Sequence, residues 1–366
     1  MISITDIEIG IVLCILVVTF TVGLTRRELN LTSKYCGIEL QMSTVLKGVA
    51  CILILLGHYF KKRNPFIETS LFANLVYYTS TNIALALFMY FSGYGLSLKN
   101  KTGEGSYLSS WYKRLKKVYI PLLFTCVIAM ILYTILPVKY SLEESEVLNI
   151  PQDIWYLHHF TPAYLKTLVP HLFGWKDWYV FCIMIFYSFF YLSKSLTRSN
   201  PSNQTWVLWI LMVAYFIMAY YYFGKLEAHW YRFCWIFFGG HVHGKMVQSG
   251  RINKWDLLML VGLTTTIAVE SKYMIISYII AVVIIAICSL LNRKYIVNSR
   301  VLVFMGTISY FFYLSHIRIG YTLMSYINVY SILLWLLITV AISFGLYELK
   351  KLISRITLRS KSHSNI

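Results

Sequence analysis

Apolar runs follow one another along almost the whole chain, separated by short polar breaks. A helix rises about 1.5 Å per residue, so roughly 20 mostly apolar residues cross the hydrocarbon core of a bilayer. Runs at 7–25, 43–60, 80–98, 118–136, 178–196, 205–224, 230–247, 255–270, 273–291, 300–317 and 326–347 meet or approach that length. They predict roughly eleven spanning helices. Runs 230–247 and 255–270 are short or carry polar residues, and the stretch 66–82 is apolar enough to extend the third span outward. The first run has Asp6 and Glu8 before it, Arg26 and Arg27 after it, and no small-residue cleavage site. It reads as an uncleaved anchor with its N-terminus outside.

Composition agrees with this pattern. Of 366 residues, 58% are hydrophobic and only 13% charged, against about a quarter charged in a soluble domain. The length would suit two or three globular domains, but no segment is polar enough to form one. A net charge of +18 suggests nucleic acid until the charges are placed on the two sides. With the N-terminus outside and every span crossing, about two thirds of the 33 basic residues fall inside, against about one third of the 15 acidic ones. The basic excess is then topological, and no nucleic-acid partner is needed. Lys61, Lys62 and Arg63, placed outside, are the discordant group. The inner loop 99–117 is strongly basic, whereas the outer segment 137–177 is acidic at Glu143, Glu144, Glu146 and Asp153. Seven cysteines lie scattered, without a C-x-x-C pair, and read as small fillers of helix interfaces rather than disulfide or zinc ligands.

Ionisable residues inside a membrane are costly and therefore candidates for function. In the second span, LKGVACILILLGH, Lys47 and His58 are eleven residues apart. At about 100° per residue they share one face, separated by about 16 Å along the axis. Lys47 either snorkels to the inner interface or lines a path, and His58 either caps the helix near water or faces that path. In GTISYFFYLSH, Ser309, Tyr313 and His316 form another one-sided stripe, suited to interhelical hydrogen bonds or to chemistry. His241 and His243 point apart on a helix and lack a third ligand, and His158 and His159 lie in the outer segment. No zinc-protease, nucleophile-elbow or Walker-type run is present, so no metal is predicted. Trp175, Trp178, Trp206, Trp230 and Trp255 near span ends fit an interfacial belt.

LKGVACILILLGH resembles the opening helix of the acyltransferase 3 family, integral membrane O-acyltransferases of sugars and cell-envelope polymers. That helix carries a basic residue, ten intervening residues and a histidine, here Lys47 and His58, although arginine is the commoner first residue. FMYFSGYGLSL (88–98), WYKRLKKVYIP (111–121) and ISYFFYLSHI (308–317) are similar to further family segments, in the family's order. DWYVF (177–181) is similar only loosely. The resemblance implies an all-α polytopic membrane protein, with a core of about ten helices over 43–347 and one extra N-terminal transmembrane helix. Residues 1–42 would hold that helix and a cytoplasmic linker, and 348–366 a basic cytoplasmic tail. It implies acyl transfer, acetyl being the family's usual group, from cytoplasmic acyl-CoA to a hydroxyl of an extracytoplasmic glycan or its lipid-linked precursor. Acetyl-CoA would be a co-substrate, with no tightly bound cofactor. Multi-pass placement in a bacterial cytoplasmic membrane follows. Lys113, Arg114, Lys116 and Lys117 suit the phosphates of the donor. Lys47 would line the path. His58 would act as general base on the acceptor hydroxyl or carry the acyl group transiently. Ser92, Tyr94, Trp178, Tyr310 and His316 are candidate substrate-pocket residues. A glycan transporter, flippase or polymerase without acyl chemistry is the rival reading.

Overall fold

Helices make up nearly all of the ordered architecture, as the apolar runs require. The computed structural model describes residues 4–26, 37–63, 71–98, 107–135, 177–224, 228–251, 253–264, 272–327 and 331–363. The order is α1 (Ile4–Val22), β1 (Leu24–Arg26), α2 (Leu40–Arg63), α3 (Leu71–Leu98), α4 (Tyr107–Ile135), α5 (Trp178–Leu196) and α6 (Gln204–Phe223). Then follow α7 (Cys234–Ser249), α8 (Lys254–Thr264), α9 (Lys272–Lys294), β2 (Tyr295–Val297) and α10 (Arg300–Ser315). A π-helical segment (His316–Tyr321), α11 (Thr322–Ile327) and α12 (Ile332–His363) complete the chain.

Among the described residues, eight helical stretches are long and apolar enough to cross a membrane. They lie in α2, α3, α4, α5, α6, α9, α10 with its π-helical continuation, and α12. The chain is an all-α, multi-pass membrane protein. In α1 the apolar stretch Ile7–Val22 is shorter. The expected span 230–247 becomes α7, of only 16 residues, because it starts at Cys234, after a 3-10 turn at Ala228–Trp230; Gly250 at φ 66° ends it with a left-handed cap whose N–H donates to the Met246 carbonyl. α7 need not match the bilayer thickness, since most of it is buried by neighbouring helices. The expected span 255–270 is represented by the 11 residues of α8, its remainder lying outside the described residues. α3 begins at Leu71, so the part of the 66–82 stretch from 71 onward extends the third helix, and 66–70 lie outside the described residues. Lys61, Lys62 and Arg63 continue α2.

α3 is the hub, packed on α2, α7 and α9, while α10 lies against α2 and α12. Apolar burial cannot drive helices together in lipid as it does in water, so close backbone approach through small residues matters more. A Cβ at Gly48 would meet the Leu302 carbonyl oxygen, and one at Gly306 would meet that of Thr44. α2 and α10 thus touch backbone to backbone. α3 and α7 do the same, because a Cβ at Gly93 would meet the Phe237 carbonyl and one at Gly240 that of Tyr90. These contacts fix the helices that carry the site. Gly48→Val is expected to cost about 1–3 kcal/mol through overpacking. A lower unfolding temperature in detergent would show it, and an unchanged one would mean that α2 and α10 can separate freely.

Lipid-facing sides are equally legible. In α1, Ile9, Val12 and Leu16 are buried on one face, while Ile7, Ile11, Ile15 and Val18 are exposed. Tyr59 of α2 donates to Glu8 at 3.1 Å. After α1 the chain forms a short antiparallel ladder in which Leu24 pairs with Val297 and Arg26 with Tyr295. Gln41 donates to the Val297 carbonyl at 3.0 Å, so α2 joins the same junction. Cys51, Cys126, Cys182, Cys234 and Cys288 are buried, whereas Cys14 faces outward.

Candidate active site

α2 and α10 run side by side, and their last turns bring two imidazoles together. The rings of His58 and His316 lie 5.1 Å apart, tilted by 48°. His58 is half-buried, and His316 is buried at 2% exposure. The sequence places these histidines on two separate stripes, and the fold brings them side by side. Helical continuity lets α10 pass directly into its π-helical segment, whose wider turn starts at His316. Such segments recur at functional sites. The His316 ring stacks on Phe312 at 6.3 Å, and its Nδ1 donates to the Tyr313 carbonyl at 2.6 Å. Its own carbonyl accepts from Trp335 of α12 at 2.8 Å.

Beside the histidines sits a buried ion pair. Arg318, in the π-helical segment, donates through Nη1 to Asp177 Oδ2 at 3.0 Å. Asp177 caps α5 by accepting from the Val180 N–H at 3.1 Å, and it also accepts from the Tyr313 hydroxyl at 2.9 Å. One carboxylate therefore holds a helix start, a phenol and a guanidinium. Trp178, the next residue, packs against His229 at 4.9 Å and stacks on Phe233 at 5.8 Å.

A polar seam leads away from this end. Tyr313 lies 5.9 Å from the His316 ring and 4.8 Å from Tyr179. Tyr179 is within electrostatic reach of both Tyr187 and Tyr310. The Tyr187 hydroxyl donates to Ser92 at 3.3 Å, and the Arg114 guanidinium lies 5.5 Å over the Tyr187 ring. Tyr310 donates to the Val118 carbonyl at 2.7 Å, tying α10 to α4. Lys47, half-buried, sits 5.9 Å from Phe91, the neighbour of Ser92. Ser92, Arg114 and Tyr310 thus lie along the tyrosine seam, while Lys47 rests on Phe91 of α3.

The remaining predicted residues part company. Lys113, Arg114, Lys116 and Lys117 were expected to form one cationic mouth, but a helix spreads neighbouring residues around its axis. Arg114 turns toward α5, whereas Lys113, Lys116 and Lys117 are exposed. Lys116 lies over Tyr112 of its own helix, and Lys117 is within electrostatic reach of Lys350 on α12. Tyr94 accepts from the Ile38 N–H at 2.8 Å, so it anchors the approach to α2. Its neighbours are Tyr90 and His243, the latter 5.1 Å from its ring. His241 instead meets Ser97 at 2.7 Å and Thr205 at 3.3 Å. Beside it Lys245 donates to Thr205 at 2.7 Å and pairs with Asp256 at 3.5 Å. His241 and His243 therefore serve different neighbours. His158, His159 and the acidic segment lie outside the described residues.

The polytopic helical bundle thus brings a half-buried and a buried histidine together, beside an ion pair and a tyrosine seam. A family model described as an acyltransferase domain matches residues 43–347, so the chain belongs to the acyltransferase 3 family and is a membrane acyltransferase. The match begins just before Thr44 and Lys47 and ends within α12, which leaves α1 outside it. Neither the curated proteins nor the solved structures contain a match to this chain.

Proposed function

We propose that the protein transfers an acetyl group from cytoplasmic acetyl-CoA to a hydroxyl of an extracytoplasmic glycan or its lipid-linked precursor, in a bacterial cytoplasmic membrane. The observation that supports this reading is the convergence of His58 and His316 at one end of a seam that leads toward Arg114. The charge asymmetry of the loops puts the Lys47 end inside. Donor phosphates would meet Arg114 first, with Lys113, Lys116 and Lys117 adding positive potential from the surface. Pantetheine would follow the seam past Ser92 and Lys47, and the thioester would reach the histidines. His58 then works at the reacting carbonyl carbon. The acceptor approaches from the opposite side, where Trp178 lies beside Asp177. One embedded site can serve both compartments in this way without moving the whole glycan.

The test is incubation of purified protein with radiolabelled acetyl-CoA and envelope glycan from a deletion strain. Label should appear in the glycan. A deletion strain that loses its surface glycan, rather than the acetyl groups on it, would favour transport, and shortened chains would favour polymerisation. Arg114→Glu should weaken acetyl-CoA binding at least tenfold, since it replaces an attractive group at a half-buried position with a repulsive one. Titration calorimetry against acetyl-CoA measures this, and unchanged affinity would remove Arg114 from the donor path.

A further inference from the structure

The orientation of His316 is more specific than membership of a pocket requires. Its Nδ1 lies 2.6 Å from the Tyr313 carbonyl oxygen, an atom that can only accept. Nδ1 must therefore carry the proton, and in the neutral ring Nε2 holds the free lone pair. Among the described residues, Nε2 is buried and has no hydrogen-bond partner. An unsatisfied buried acceptor costs about 1–3 kcal/mol, and a catalytic role is one reason for a native structure to keep one. The ring cannot easily turn to relieve it. Phe312 supports one side, the Nδ1 bond fixes the other, and Trp335 holds the backbone carbonyl. The open lone pair sits on a ring 5.1 Å from that of His58.

We infer that His316 Nε2 takes the proton of the acceptor hydroxyl, making His316 a catalytic residue, with Tyr313 and Trp335 as the groups that position it. The inference rests on acyl transfer to a hydroxyl. As the hydroxyl oxygen forms its bond to the acyl carbon, its proton passes to Nε2 and its electron pair enters the new C–O bond. Collapse of the adduct expels the leaving group from the acyl carbon, and that group takes the proton back from Nε2. No net proton is consumed. If the leaving group is the thiol of the donor, the bond broken is C–S. If His58 has already taken the acyl group, the bond broken is C–N and the thiol has left earlier. His316 has the same task in both cases, which frees His58 to act on the acyl side.

The charged groups within reach of the ring are Arg318 and Asp177, which are bonded to each other. Among the described residues, the titratable rings beside it are His58 on α2 and Tyr313 on its own helix. The decisive variant is His316→Asn, whose side-chain amide can still donate to the Tyr313 carbonyl but offers no basic nitrogen at the Nε2 position. In full-length protein reconstituted in lipid nanodiscs, labelled acetyl-CoA and envelope glycan from a deletion strain serve as substrates. The variant should lose about 10²–10⁴-fold in kcat with KM for acetyl-CoA within about twofold. The rise of wild-type kcat/KM with pH through a single ionisation should disappear. Should the Asn variant fail to fold, His316→Gln is read in the same way. Equal transfer by wild type and variant, or a loss confined to KM, overturns this inference alone. Absence of transfer by wild type overturns the hydroxyl-transfer reading and the inference with it.

Discussion

His58→Ala should abolish transfer, lowering kcat by at least about 10²–10⁴-fold, while the protein still reaches the membrane and folds. His58 is half-buried at the end of α2, and the helix contacts that hold α2 in place lie elsewhere on it, at Gly48 against α10 and Gly57 against α3. Removing the imidazole therefore leaves the frame intact and empties one half of the pair. Quantifying acetyl groups on the glycan by mass spectrometry, alongside a fluorescence-detected size-exclusion profile, separates the two effects. A correctly folded variant with wild-type acetylation would place the chemistry somewhere other than the histidine pair.

The second large effect is expected at Asp177. Arg318 is largely buried against it, and breaking a buried ion pair from one side costs about 3–5 kcal/mol. Asp177→Ala also removes the cap of α5, worth about 1 kcal/mol, and the partner of the Tyr313 hydroxyl. The variant should show a markedly lower unfolding temperature in detergent and little activity. Adding Arg318→Met, which withdraws the stranded charge, should recover much of the stability without restoring turnover. Thermal unfolding of both variants checks this, and a wild-type transition for Asp177→Ala alone would mean that Arg318 finds water or another anion.

The contrast between these residues shows what sequence can and cannot carry. Lys47 and His58 were placed on one face because a regular helix obeys a known period, and α2 is regular. His316 could be assigned to the same end of the bundle because α10 runs parallel to α2 and ends at a comparable depth. Asp177 and Arg318 escaped notice because each lies at the edge of an apolar run, where a charge is ordinarily solvated. The available signal was Asp177 at the start of DWYVF, an N-cap residue before a helix, and Arg318 two residues after His316. Their pairing spans 141 residues and has no period. The π-helical turn was similarly invisible, since HIRIGY contains nothing that separates it from an α-helix by composition. The four cations of 113–117 were legible as a charge but not as a direction, because only tertiary packing selects Arg114 to face α5.

The small ladder between β1 and β2 bears on how the protein comes to be made. Translation runs from the N-terminus, so Leu24 emerges long before Val297, its partner in the ladder. α1 can meet α2 and α3 early, through Glu8 and Tyr59 among others, but the ladder after it waits until the stretch between α9 and α10 is synthesised. Pairing of such distant segments is slow because loop closure precedes any reward. The ladder thus closes late, tying the segment after α1 to the strand that leads into α10 and His316.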